Sequence, residues 1–138
     1  VSPGMHVLSN AQLDTPWPKV QRMRHKFEEL LKKYGQDEIP ETKIIENVMK
    51  DTVYADRSLL PTTGCDPDWE YKLSPIFIYS DSDRGPYGTR SMVVLSLKPT
   101  GEMAFYEQYL EDGKWKEHKI TYEIKSDKLN CESEVYTD

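Results

Sequence analysis

Apolar residues recur along the chain at two different periods, and the change falls near residue 74. Upstream of it, Trp17, Val20, Met23, Phe27, Leu30, Leu31 and Tyr34 return every three or four positions, with Lys19, Arg22, Lys26, Glu29 and Lys33 between them. That spacing puts the apolar set on one stripe of a helix, where it docks on a sheet or a second helix. Asp14 and Thr15 offer an N-cap, Pro16 and Pro18 sit where a first helical turn tolerates proline, and Gly35 supplies a stop. A second helix is predicted from Glu41 to Asp51, entered at Pro40, with Ile44, Ile45, Val48 and Met49 turned inward. Ahead of both, Met5 to Leu8 reads as a short strand closed by Ser9 and Asn10.

Residues 52–74 carry Pro61, Gly64 and Pro67 among several acids, the composition of a long surface loop with one helical turn near Tyr54 to Leu59. From Ser74 onward the pattern is that of strands. Ile76 to Tyr79 is the first, followed by a polar loop from Ser80 to Pro86. Met92 to Leu97 is the second, ending at the turn Lys98-Pro99-Thr100-Gly101. Met103 to Tyr109 is the third. The hairpin turn Glu111-Asp112-Gly113 leads to the fourth, Trp115 to Ile124, with Trp115, Ile120, Tyr122 and Ile124 as its apolar side chains. Connections this short make an antiparallel meander of four strands. Two helices followed by such a meander give an α+β layer architecture. Residues 1–125 form the folded part, and 126–138 a polar, disordered tail.

At 138 residues the chain is long enough for one domain with a real core. Its net charge of −6 argues against nucleic acid as a partner, since phosphate binding needs a basic footprint. No stretch is long or apolar enough to span a membrane, no signal peptide is present, and no Asn-x-Ser/Thr acceptor occurs. Cys65 and Cys131 have no metal-ligand spacing, so reducing surroundings are the default, with a single 65–131 bridge as the alternative. A cytosolic or organelle-lumen protein fits these features better than a secreted one. His6, His25 and His118 lie on separate elements without an i,i+4 pair, so no metal site is expected from them. Asp81, Asp83 and Glu70 lack the spacing of a calcium loop.

Two positions carry the candidate chemistry. Asn10, at a strand-to-helix corner, is either a turn former or an amide donor aimed at a developing oxyanion. Arg90, in Tyr87-Gly88-Thr89-Arg90 at the mouth of a strand, either bridges Asp81 or Asp83 or anchors an anionic substrate group. Neither is a nucleophile.

Pro3-Gly4, Leu8-Ser9-Asn10-Ala11, Leu13, Thr15-Pro16-Trp17 and Lys19 resemble a hallmark segment of the NRDE family of transport and Golgi organisation proteins. Tyr87 to Ser91 and Phe105-Tyr106-Glu107-Gln108 resemble its closing segment, and Trp115-Lys116-Glu117-His118 its plant branch. The resemblance runs to about Ile124. It implies an N-terminal-nucleophile (Ntn) hydrolase-like αββα sandwich, of which this chain resembles the C-terminal half. The family opens with a cysteine after the initiator methionine and an Asn-Arg-Asp-Glu run. Neither is here; Val1 cannot act as such a nucleophile, so the chain alone is not expected to be catalytic. The partner it implies is the N-terminal half of the same domain. Its ligand is a small molecule, an acyl group or haem, with no cofactor bound. The biology it implies is Golgi and secretory organisation together with haem or acyl-lipid handling. The implied location is cytoplasmic, in association with Golgi or mitochondria. By analogy with bile-salt-hydrolase-like relatives, Asn10 takes the place of the oxyanion donor and Arg90 that of the pocket arginine. The reaction this implies is cysteine-dependent amide or thioester hydrolysis, with non-catalytic ligand carriage in the same cleft as the alternative.

Overall fold

The apolar stripe of the first segment forms helix α1, Pro18–Tyr34, in a computed structural model that describes residues 1–82 and 85–124. Its N-cap is Trp17, with Pro18 at the first helical position and no side-chain cap. Asp14, expected to cap it, instead adopts a left-handed backbone at φ 59°. Gly35 ends the helix at φ 60°, donating its N–H to the Leu31 carbonyl. Val20 and Leu30 are buried beneath it.

The second helix begins as expected after Pro40 but changes pitch. Four α-helical residues, α2 at Glu41–Ile44, run into a π-helical turn, Ile45–Met49. The Asn47 side-chain amide donates to the Lys43 carbonyl at 2.8 Å, the acceptor that an α-helical Asn47 N–H would use. The wider turn closes with Lys50 N–H on the Ile45 carbonyl at 3.0 Å. It places Ile45 against the sheet, in a core completed by Met92, Val94 and Tyr106, and Val48 is buried as well. The π turn also touches α1, and so forms the middle of the stack between helix and sheet.

Residues 52–74 hold more structure than a loop. Besides a 3-10 turn at Arg57–Leu59 there is a third helix, α3 at Pro67–Lys72. Asp66 caps it, accepting from Asp68 N–H and Trp69 N–H at 2.9 and 3.1 Å.

The β part is antiparallel, and its strands divide into two sheets instead of one meander of four. β1, Tyr79–Ser82, pairs with β2, Gly85–Gly88, as a small hairpin where a strand and then a polar loop were expected. The apolar run Ile76–Ile78 lies outside it and tucks under the helical layer, where Phe77 N–H meets the Asp51 carbonyl at 2.8 Å. The larger sheet has the order β3-β4-β5, with β3 at Ser91–Leu97, β4 at Glu102–Glu111 and β5 at Lys114–Glu123. Asp112 and Gly113, both with positive φ, make the two-residue turn between β4 and β5. The expected strand at Met5 to Leu8 is unpaired: its Val7 N–H and carbonyl are taken by Asp14 instead of a neighbouring strand. The α+β class holds. No helix among the described residues is long and apolar enough to cross a membrane. The tail from 125 onward lies outside the described residues, as do Cys131 and Asp83.

Side chains at even positions of β3 and β4 face the helices: Met92 and Val94 with Tyr106 and Ala104, all buried. Those at odd positions face away. There Leu95 and Leu97 are each 62% exposed, and Val93, Ile120 and Tyr122 share the same face. One side of the sheet is packed, and the other is apolar and, among the described residues, uncovered.

Candidate functional site

Asn10 sits on the loop between Val7 and Asp14, which a single carboxylate closes. Asp14 N–H donates to the Val7 carbonyl and Val7 N–H to Asp14 Oδ1, both at 2.8 Å. Arg24 from α1 donates to Asp14 Oδ1 at 2.5 Å and to the Met5 carbonyl at 3.0 Å. His6 Nδ1 lies 2.6 Å from Asp14 Oδ2, while His6 Nε2 lies 2.8 Å from the Ser2 carbonyl. A carbonyl oxygen only accepts, so both ring nitrogens face acceptors, the arrangement that suits an imidazolium. The Asp14 hydrogen bond, followed by the Ser2 carbonyl, raises the His6 pKa. The His6 hydrogen bond, followed by Val7 N–H, lowers that of Asp14. On this rigid base Asn10 is exposed, its amide oxygen 3.4 Å from the Ser9 hydroxyl.

Arg90 is positioned by the two residues before it. Gly88 lies so close to the Ile78 carbonyl that a Cβ there would stand 2.3 Å from the oxygen. Thr89 then clasps Ile78 twice, its N–H on the Ile78 carbonyl at 2.8 Å and its hydroxyl accepting Ile78 N–H at 3.0 Å. The chain leaves this clasp at Arg90, whose carbonyl accepts Leu110 N–H at 2.8 Å. The Arg90 side chain is exposed, and among the described residues its guanidinium has no hydrogen bond or ion pair. Asp81 is therefore not its partner. No hydrogen bond joins Asn10 to Arg90; the two occupy separate exposed turns.

Near the Asn10 loop, and missed in the sequence, is a groove of about 680 Å³. Met5, Val7 and Leu8 form one wall, Met23 and Phe27 of α1 its floor, and Val93 and Leu95 of β3 the other wall. The signal was present in the helix stripe, which carries more apolar width than the π turn covers. A second cleft, of about 560 Å³, lies beside α3. Tyr54 stacks on Tyr71 at 4.9 Å, and the Arg57 guanidinium lies 4.2 Å from the Tyr71 ring centre, held by Asp68 at 2.7 Å.

The histidines are dispersed, and no group of three metal-binding side chains forms among the described residues. His25 is 3.5 Å from Glu29 on the exposed face of α1. His118 lies on the uncovered sheet face between Phe105 and Tyr109 and 3.7 Å from Glu107. Cys65 is exposed in the loop before α3.

Two anchors fix the frame of the site. Asp51, its side chain 3% exposed, accepts from Arg22 through two bonds of 2.8 Å, from Lys26 at 2.9 Å and from Val53 N–H at 3.0 Å. Burial alone raises the Asp51 pKa, but the Arg22, Lys26 and Val53 hydrogen bonds outweigh it and hold the carboxyl well below the usual range. Glu41 at the start of α2 meets Lys119 of β5 at 2.8 Å and ties the helical layer to the far strand.

The family model described as Transport and Golgi organisation 2 matches residues 1–112, a span that holds Asn10, the groove and Arg90. No curated protein matches the chain.

Proposed function

Because the chain belongs to the transport and Golgi organisation 2 family, we propose that residues 1–125 supply the C-terminal part of an Ntn-hydrolase-like domain that takes an anionic acyl ligand. Arg90 carries this reading. A guanidinium held at a strand mouth by a close-packed glycine and a clasping threonine, and without a carboxylate partner among the described residues, is a ready anchor for a carboxylate or phosphate. The uncovered apolar face of the β3-β4-β5 sheet supports the half-domain part, since an αββα sandwich packs one sheet on another. In the complete domain Asn10 serves as an oxyanion donor and Arg90 lines the pocket of a cysteine supplied by the other half. The reaction is hydrolysis of an acyl amide or thioester. Haem as a ligand and a role in Golgi organisation rest on the family resemblance alone.

A carrier without turnover, using the same cleft, is the second reading. Turnover of a long-chain acyl thioester by the complete protein, followed through release of the free thiol, separates the two. Catalysis predicts that Asn10→Ala lowers kcat by about 10²-fold or more with unchanged melting. Carriage predicts saturable acyl binding, weakened by Arg90→Lys, with no thiol release. Equal binding by Arg90→Lys and by the parent would remove Arg90 from the site.

A further inference from the structure

The geometry assigns the groove between Met5–Leu8 and β3 to an incoming β-strand: an extended peptide segment, apolar at alternate positions, that hydrogen-bonds to both walls. The argument begins with the direction of the β3 backbone. Leu110 N–H bonds to the Arg90 carbonyl and Lys98 N–H to the Glu102 carbonyl. In an antiparallel ladder these bonds alternate, so the even residues of β3 are turned to β4. The N–H and C=O groups of Ser91, Val93, Leu95 and Leu97 therefore point out from the free edge of the sheet, where β3 has no neighbouring strand among the described residues.

The opposite wall has the same character. Met5 gives its carbonyl to Arg24, and Val7 gives both main-chain groups to Asp14. His6 and Leu8 alternate with them, and among the described residues their main-chain groups carry no hydrogen bond. A segment with strand-forming sequence thus lies unpaired across an apolar groove from an unpaired strand edge. One strand between them satisfies both sets of groups.

The two edges of the sheet differ in a way that supports this occupant. β5 carries Lys114, Lys116, Glu117, His118, Lys119 and Glu123 along ten residues, the charge that keeps an edge from pairing. β3, Ser-Met-Val-Val-Leu-Ser-Leu, has no charge and no proline. An undefended edge beside open backbone donors and acceptors recognises a peptide backbone, whereas a lipid chain or a second sheet face would leave those groups unpaired.

The test uses the full chain and a fluorescein-labelled heptapeptide of alternating valine with threonine or lysine. Saturable binding by anisotropy is expected, with slowed amide exchange at Val93, Leu95, His6 and Leu8 and none added at Val94. A peptide N-methylated at alternate residues should bind at least about ten-fold more weakly, because it lacks the donors for one wall. Val93→Pro removes one outward N–H, a change an edge strand tolerates, and should weaken binding without shifting the melting transition. The methylated peptide gives the same answer on unaltered protein if that variant does not fold. No binding, or equal binding by the methylated peptide, would overturn the assignment. So would edge protection that appears without peptide and rises with protein concentration, since the occupant would then be a second copy.

Discussion

Asp51→Ala tests the frame on which the site is built. Removing the carboxylate takes partners from Arg22, Lys26 and Val53 N–H at once. Hydrogen bonds to a buried charge are worth roughly 1.5–3 kcal/mol each. Arg22 and Lys26, however, are 39% and 27% exposed and recover water when released, so their share falls toward that of surface pairs. Val53 is itself half exposed, so its N–H adds about 1 kcal/mol. The expected loss is about 3 kcal/mol, at the lower end for breaking a buried pair. For a chain of this size that lowers Tm by about 10 °C. Urea unfolding followed by circular dichroism gives the loss directly, with an unchanged m-value showing that the unfolded state is unaltered. Asp51→Asn keeps one oxygen, which can accept from Val53 N–H and Arg22 Nε while its amide nitrogen faces Arg22 Nη2 and Lys26, and should recover only part of the loss. The pH dependence has a fixed sign. The folded-state pKa of Asp51 is depressed, so its contribution is full above the ordinary aspartate range and is lost as pH falls toward the folded value. The gap between parent and Asp51→Ala should therefore narrow below about pH 4. A loss under about 0.5 kcal/mol at neutral pH would mean that the three partners are solvated as well without Asp51 as with it.

Gly88→Ala drives a Cβ into the Ile78 carbonyl and should cost about 2–3 kcal/mol, while weakening anionic ligand binding through the displaced Arg90; unaltered melting would show that the clasp yields freely. The His6–Asp14 tether should hold the Asn10 loop most firmly between the two ordinary pKa values, about pH 4 to 6.5. The raised His6 pKa makes its part fade as pH rises through the folded value, and the lowered Asp14 pKa makes its part fade as pH falls. Amide exchange at Val7 followed against pH reads this, and a flat profile in the parent would refute it. Trp17→Ala should cost about 1–2 kcal/mol, the loss of a half-buried aromatic over Leu60, Pro61 and Leu73; chemical denaturation measures it, and a loss above about 3 kcal/mol would place the ring in the core. The uncovered sheet face should bind an apolar dye such as ANS, and Leu95→Lys should reduce the signal while leaving folding intact.

Periodicity carried the helices and the larger sheet because those elements bury one face, and burial writes itself into spacing. The α1 stripe, the stop at Gly35 and the turn Asp112-Gly113 were all legible for that reason. Other features were not. The π turn depends on one amide, Asn47, competing for one carbonyl, which leaves the apolar spacing almost unchanged. Helix α3 is six residues long, too short to show a period, although Asp66-Pro67 was a readable cap and first turn. The Met5–Leu8 strand failed because strand propensity needs a neighbour to pair with, and Asp14 reached Val7 first. At the candidate site, Arg90 was legible from its place at the mouth of β3. Its freedom from Asp81 was not, since ion pairing between loops is set by tertiary geometry.

The two-residue turn between β4 and β5 also says something about time. It joins two ten-residue strands that are adjacent in sequence, so their pairing closes almost no loop and forms on the microsecond scale of a hairpin. β3 adds through the short turn Lys98–Gly101, and the sheet can be complete before any distant segment arrives. Its uncharged outer edge is then exposed early in folding. Until that edge is covered it stays open to wrong strand partners.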